Sequence, residues 1–484
     1  MKGPQAQSPI AFAPAQGYGR SEMNPAPARR LLLAALVAAS VQVAARPATA
    51  QNAPPPVAVP PVNVLLPNYE SVPVGEIGGL EAGAFVVRAN DTSSIFYNPA
   101  GLSHAERSSI SGTAGVFQFD TVTATGFAKS GSSFKQVPAL FGVVVKDVFG
   151  HQGWAAGLSL ARVNAWSQNV TAERTFEAGG ATNRVSYASS AAMDGWLASL
   201  GFGVKATDQL RLGGSLDGQL TQTERRQRLG DQFYDTALST ILVDAEAWAW
   251  ASHLRFTAGA QYDLTPAIQL GAVLRTAGLG VLSDGASTLE GVSKVGAATS
   301  TASFFDEEQA VEYSVPFEFK AGAAYKFSRG EVEFDLITHL GAGVYDAVTN
   351  PKAITVLADA GNGAVTVQQF GALPRVIDSR AVVNIAIGGH YNLTSDGKWV
   401  IHGGYGTDRS PVGEADTEFT KVHLQKMTIG LSGRTKFFLG SLGLQYLSGS
   451  SDPVLLRQLQ GGRQFTTSFE VANLGFVYSL ALLF

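Results

Sequence analysis

Cysteine is absent from the 484-residue chain, which excludes a disulfide framework, a thiolate-bound metal and a cysteine nucleophile. Charge is scarce: Asp, Glu, Lys and Arg make up 15% of residues, where a soluble protein has about 25%. The 35 basic and 39 acidic residues leave a net charge of −4, without the basic surplus of a nucleic-acid binder. Long hydrophobic runs are missing too, so a bundle of membrane helices, each needing about twenty apolar residues, is excluded. What the chain does have is 54 glycines and 45% apolar residues. Low charge and much glycine without long apolar runs point to hydrophobicity hidden in alternation, as in β-structure made for a membrane.

The longest helix-like apolar run near the start is Leu31 to Ala39, nine residues. Arg29 and Arg30 precede it and Ala48-Thr49-Ala50 follows as a small-residue cleavage site. These are the parts of a secretory signal, so residues 1–50 are expected to be an address label, with Met23 a candidate true start. Residues 51–67 are rich in proline and alanine. Proline at that density blocks helix hydrogen bonding and sheet ladders, and predicts an extended tail.

From about residue 109 onward, alternation of period two dominates. Leu210, Leu212, Leu216 and Leu220 share one face, and Arg211, Ser215, Asp217 and Gln219 the other. Leu254, Phe256, Ala258, Ala260, Tyr262 and Leu264 repeat the pattern against Arg255, Thr257, Gln261 and Asp263. Successive strand side chains point to opposite faces, so each segment has one oily and one polar side. Fourteen such strands are predicted, near 109–120, 136–148, 153–168, 182–205, 209–226, 240–264, 267–283, 305–328, 330–346, 364–393, 397–408, 420–436, 438–449 and 464–484. Pro374 is a candidate break in the tenth. Tight connections (265–266, 328–330, 395–397) follow even-numbered strands, and long polar ones (284–304, 347–363, 450–463) follow odd-numbered strands. An even strand count with short turns at one end and long loops at the other is the plan of a bacterial outer-membrane barrel.

The last strand carries Ala472, Leu474, Phe476, Tyr478, Leu480, Leu482 and Phe484 on one face, and Asn473, Gly475, Ser479 and Ala481 on the other. Its ending in Phe484, with Gly475, Tyr478 and Leu480 upstream, resembles the signal by which barrel-assembly machinery recognises its clients. A fourteen-stranded ring is wider than the eight-stranded one that its own side chains fill, so something must occupy it. Residues 68–108 do not alternate, and contain Asn98-Pro99-Ala100. Proline fixes φ and lacks an N–H, which favours a bent plug over a strand. The expected division is thus signal 1–50, tail 51–67, plug 68–108 and barrel 109–484, the alternative for 68–108 being a periplasmic tail and a first strand.

Here the chain resembles the FadL/TodX-type transporters of long-chain fatty acids and aromatic hydrocarbons. The resemblance rests on Asn98-Pro99-Ala100 with Gly79, Gly83, Asn90 and Asp91 before it, on the strand texture of 262–275 and 388–406, and on the terminal phenylalanine. It spans about 68–484. It implies an all-β, fourteen-stranded antiparallel transmembrane barrel with an N-terminal hatch in the lumen, uptake of hydrophobic small molecules, and no enzyme activity. It also implies a kink in the third strand that opens the wall sideways. Ala161-Arg162-Val163 stand where related sequences often carry a proline-aromatic-glycine turn, so a kink there is implied by resemblance alone.

The histidines His104, His151, His253, His339, His390, His402 and His423 lie in no G-x-S-x-G setting, and neither H-E-x-x-H nor a phosphate loop is present. His253, His390 and His402 fall on the polar side of their strands and read as solvated lumen residues. Glu331, Glu333 and Asp335 read as carboxylates lining a wet lumen, with metal binding the sharper alternative. Arg225, Arg226 and Arg228 are expected in an extracellular loop, where contact with lipopolysaccharide phosphates competes with plain solvation. Trp248, Trp250 and Trp399 are candidates for interfacial girdles. The expected setting is the bacterial outer membrane, both termini periplasmic, with no cofactor, no metal, no nucleic acid and a monomer. The competing readings are a non-transporting barrel acting as secretion accessory or surface scaffold, and a diffusion porin.

Overall fold

The computed structural model describes residues 65–484 apart from 125–127, 130–132, 179–180, 235–237, 350–351, 360–363, 371–374, 417–418, 452–453 and 458–463. The expected signal (1–50), Met23 and the tail up to residue 64 lie outside the described residues.

Fourteen strands form one ring. They are β1 (Ser109–Ala124), β2 (Ser133–Lys146), β3 (Trp154–Ala178), β4 (Ala181–Lys205), β5 (Leu210–Tyr234), β6 (Leu238–Asp263), β7 (Ile268–Arg275), β8 (Glu318–Phe327), β9 (Gly330–His339), β10 (Val382–Asn392), β11 (Trp399–Asp408), β12 (Val422–Arg434), β13 (Phe438–Ser451) and β14 (Phe469–Leu483). Each pairs antiparallel with the next. The ring closes where β1 meets β14, Ser109 opposite Leu483 and Gly112 opposite Leu480. Closure leaves no edge, and in hydrocarbon no backbone group goes unpaired.

Burial along these strands is the reverse of a soluble sandwich. On β5, Leu212, Leu216 and Leu220 are exposed while Arg211, Ser215 and Asp217 are buried. On β14, Leu474, Phe476, Tyr478, Leu480 and Leu482 are exposed and Asn473 and Ser479 are buried. Leu200, Phe256, Phe334, Ile387, Ile429 and Leu442 continue the outward apolar band. Soluble monomers rarely expose apolar patches beyond a few hundred Å², so the band faces lipid. Trp399 stands outward at the short-turn end, Trp248 outward in the other half of the wall, and Trp250 is half-buried.

The long-loop end departs from expectation. β3 to β6 run 25, 25, 25 and 26 residues, against the 9–11 a membrane strand needs, so the wall continues well past the bilayer. Residues 284–304, expected as a loop, belong to a hairpin: Leu279–Val295 continues the line of β7 along β6, and Ala298–Asp306 returns beside it. Ile354–Asp359 and Val365–Phe370 extend the same sheet. The expected strand 305–328 is therefore split between Ala298–Asp306 and β8, and 364–393 divides into Val365–Phe370, Val376–Ser379 and β10. Arg225, Arg226 and Arg228 lie within β5, not in a loop, and Arg228 holds Asp244 of β6 at 2.5 Å. Above the membrane the outer face of a strand meets water in place of lipid, so the alternation that marks strands in the sequence fades there.

Candidate functional site

Residues 65–108 lie inside the ring and contain no strand. They include two 3-10 helices, Gly78–Glu81 and Pro99–His104, and one α-turn, Ser94–Tyr97. Leu65 and Leu66 are already buried, so this inner segment starts no later than Leu65 and takes in the end of the expected tail. Irregular backbone buried in a barrel needs partners for its N–H and C=O groups, and the polar residues of the wall supply them.

Glu333 accepts from the backbone of Val87 at 2.7 Å and Arg88 at 3.3 Å, and from Arg88 Nε at 2.7 Å. Asp335 accepts from Val86 N at 3.2 Å. Asp408 accepts from the N–H groups of Tyr69 and Glu70. Arg275 donates to the Phe96 carbonyl at 2.8 Å, Thr428 to Leu80 at 2.7 Å and Lys426 to Glu70 at 2.6 Å. The carboxylates read as lining a wet lumen are thus corrected: Glu333 and Asp335 are 1% and 0% exposed and grip the inner segment. His253 and His402 are likewise buried and His390 is half-buried, so none of the three is a freely solvated pore residue.

Asn98-Pro99-Ala100 sits at the centre of this grip. Asn98 Nδ2 donates to Val86 O at 2.9 Å and to Ala260 O of β6 at 3.0 Å, and its Oδ1 accepts from Ala100 N at 3.1 Å. The last bond caps the helix Pro99–His104, with proline in its favoured first turn. The wall beneath is flattened to receive the tripeptide: a Cβ on Gly259 would overlap Asn98 Oδ1, and one on Gly213 the Pro99–Ala100 peptide.

Two carboxyl groups of the inner segment are shifted in opposite directions. Burial alone would raise Glu70, but Lys320, His339 and Lys426 outweigh it and hold its carboxyl below the usual range. Asp91 is raised well above it, by burial and then by the neighbouring Glu76.

Ala161, Arg162 and Val163 coincide with a register slip in the wall. The β3–β4 register slips between Arg162 and Asn164, leaving Val163 unmatched. Pairing of β3 with β2 stops at Ala161, opposite Leu140, while residues 134, 135, 137 and 138 of β2 pair with β1 alone. Among the described residues, Arg162 to Ala165 of β3 have no ladder pair on the β2 side. A bulge bends its strand and disrupts pairing locally, and the β2–β3 ladder ends in a seam beside this slip. Asn164, next to the slip, turns inward and donates to the carbonyls of Leu66 and Asn68, each at 3.1 Å.

A cavity of about 110 Å³ opens above the inner segment. Its floor carries Glu70, Arg255, Arg275, Glu318, Lys320 and His339; its cover is Tyr313, Val315, Tyr345, Ile377, Val412 and Phe419. Phe96 takes the Lys320 ammonium over its ring at 5.4 Å, and Tyr69 stacks on His339 at 4.2 Å. Val163, Asn164, Met193 and Leu197 bring the lining to the seam. A second cavity of about 30 Å³ lies on the other side, lined by Ala165 and Trp166 of β3, Gly115 of β1 and Val477 of β14. No local pattern marks these linings, because they come from strands and covering loops far apart in the chain.

Gly475, Tyr478, Leu480 and Phe484 lie along or just past β14: Gly475 faces inward, and Tyr478, Leu480 and Phe484 face outward. Phe484 N donates to Ser108 O at 2.9 Å, tying the last residue to the start of the barrel.

No protein-family profile matches the sequence, and no curated protein does. Solved structures do match the fold. A Pseudomonas aeruginosa FadL homologue is 14% identical, with a TM-score of 0.56, 86% of this chain and 100% of that one covered. The Ralstonia pickettii toluene transporter TbuX is 15% identical at a TM-score of 0.54, covering 86% and 99%. The Pseudomonas putida toluene transporter TodX is 17% identical at 0.54, covering 85% and 98%. The chain has the fourteen-stranded outer-membrane barrel fold of the FadL and TodX structures.

Proposed function

We propose that this barrel takes up hydrophobic small molecules across the outer membrane, and that residues 68–108 act as its hatch. The observation that carries this reading is the cavity above the inner segment, whose lining runs to the unpaired seam at Val163. A cavity of about 150 Å³ holds benzene, so the space found here is of the order of one small ring or a stretch of alkyl chain. The cavity is two-sided, charged below and largely apolar above, where Asp378 and Asp416 also join the lining. Arg255 directs its donors to neutral oxygens, Thr276 O at 2.9 Å, Gln219 Oε1 at 3.0 Å and Pro316 O at 2.7 Å. A cation so placed at the base of an apolar space favours an amphiphile with an anionic end, such as a long-chain fatty acid, over a bare aromatic hydrocarbon.

In this reading substrate enters from the extended end, settles above Phe96, and leaves sideways through the seam or past the hatch to the periplasm. A ligand moves the hatch only by binding one of its states better than the other, and Asn98, Pro99 and Ala100 are the gating residues. Residues 1–50 serve as the secretory signal, both termini are periplasmic, Gly475, Tyr478, Leu480 and Phe484 address the chain to barrel-assembly machinery, and the barrel works as a monomer in contact with lipopolysaccharide. The alternative is a surface scaffold or secretion accessory, favoured by the wall that rises beyond the bilayer.

Uptake of labelled oleate and labelled toluene by cells with and without the gene decides between these. Protein-dependent uptake of oleate supports the amphiphile reading. Toluene alone moves the substrate class to monoaromatics. Uptake of neither, with the barrel folded in the outer membrane, supports the scaffold.

A further inference from the structure

Away from the cavity, one carboxylate of the inner segment meets two histidines of the wall. Glu81 ends the helix Gly78–Glu81; His390 lies on β10 and His402 directly opposite it on β11. Glu81 Oε1 is 2.7 Å from His402 Nδ1 and 3.4 Å from His390 Nδ1. One ligand atom from each of the three lies within 4.8 Å of the others. We propose that Glu81, His390 and His402 bind a divalent transition cation of the zinc class, which fastens the inner segment to the barrel wall.

The donor set fits that ion. Zinc takes imidazole nitrogen and carboxylate oxygen at about 2.0–2.2 Å, which sets tetrahedral ligands roughly 3.3 Å apart, near the spacing of Glu81 and His390. The Glu81–His402 pair must open by roughly 0.6 Å to the same edge, a side-chain adjustment. His402 is already aimed by a second contact, Nε2 to Ser432 Oγ at 2.8 Å, and a hydrogen bond on the far nitrogen is the usual way a ligating imidazole is fixed. Three protein ligands leave the fourth position to water.

Among the described residues Arg88 is the cation paired with Glu81 beside the site, and it need not leave. It binds Glu81 through Oε2, leaving Oε1 to the histidines, and keeps Glu333 at 2.7 Å and Ala84 O at 3.0 Å. Ligation displaces only its Nη1 contact to His390 Nδ1 at 3.2 Å. Two carboxylates, Glu81 and Glu333, face this single guanidinium, so the cluster has room for further positive charge.

The site stands whether or not the barrel transports. The test is titration of the purified, folded, untagged protein in detergent with Zn²⁺, followed by competition against a chromophoric chelator, and with Co²⁺ read by visible absorption. The expected result is one ion per chain and a Co²⁺ spectrum of nitrogen and oxygen ligands. His390→Ala and His402→Ala should each weaken binding at least tenfold, and Ser432→Ala about tenfold. Folding of each variant is checked by the heat-dependent gel shift of an intact barrel, and His253→Ala serves as a control that keeps full binding. The half-buried His390 is the variant least able to disturb the fold. No stoichiometric binding, or binding unchanged in folded His390→Ala, overturns the site.

Discussion

Arg88 and Glu333 are separated by 245 positions in the chain and by 2.7 Å in space, and the same carboxylate also receives the backbone N–H groups of Val87 and Arg88. One wall residue thus closes three bonds to the inner segment. Replacing Glu333 by Ala leaves Arg88 buried with half its charge partners. Breaking a buried pair on one side costs about 3–5 kcal/mol. The expected outcome is faster hydrogen exchange across residues 84–90 with the barrel itself still formed, measured by exchange mass spectrometry.

Asn98→Ala removes both donors and the acceptor that join Val86, Ala260 and Ala100. Each buried group left without a partner costs about 1–3 kcal/mol. Uptake should fall while barrel assembly persists. Unchanged uptake in this variant removes the gating role from the tripeptide.

Deleting Val163 should restore the β3–β4 register, since that residue is the unmatched one. With the slip removed, β3 can continue its ladder along β2 past Ala161. Uptake is expected to drop at least tenfold where the seam is the exit. A deletion variant that folds and transports at the native rate places the exit elsewhere.

Asp91 makes inner-segment stability depend on pH. Its folded pKa lies above the unfolded one, by burial and by Glu76, so the contribution is full below the unfolded value and is lost as pH rises through the folded one. Asp91→Asn keeps an oxygen for Ser93 N and Ser93 Oγ and removes the titration. The variant should gain stability over the native protein as pH rises from 5 to 8, and a thermal-unfolding series across that range measures it.

The ring of strands was legible because period-two alternation survives wherever one face meets lipid: Leu212, Leu216 and Phe256 stand outward as their spacing implies. The rising sheet was not legible, because at Arg225 to Arg228 the outward face carries charge for water in place of apolar groups for lipid, and the pattern is lost. Asn98-Pro99-Ala100 marked the inner segment through proline's restraint on the backbone. The partners of that segment were beyond reach of spacing, since Glu333, Asp335 and Asp408 look like any inward carboxylate until residues 69–88 lie against them. Ala161-Arg162-Val163 carries no proline or glycine, so its slip is set by strand pairing.

Much of the inward face of the wall is polar, between apolar patches such as Val144, Leu197 and Ile337, and much of that polarity is spoken for by the backbone of residues 65–108. Remove that backbone and the same carboxylates, guanidiniums and amides would hydrate a bore fourteen strands around. On the reading of the inner segment as a hatch, it would insulate electrically as well as mechanically: the intact protein should pass little ionic current in a planar bilayer, and a barrel stripped of the segment should conduct like an open porin.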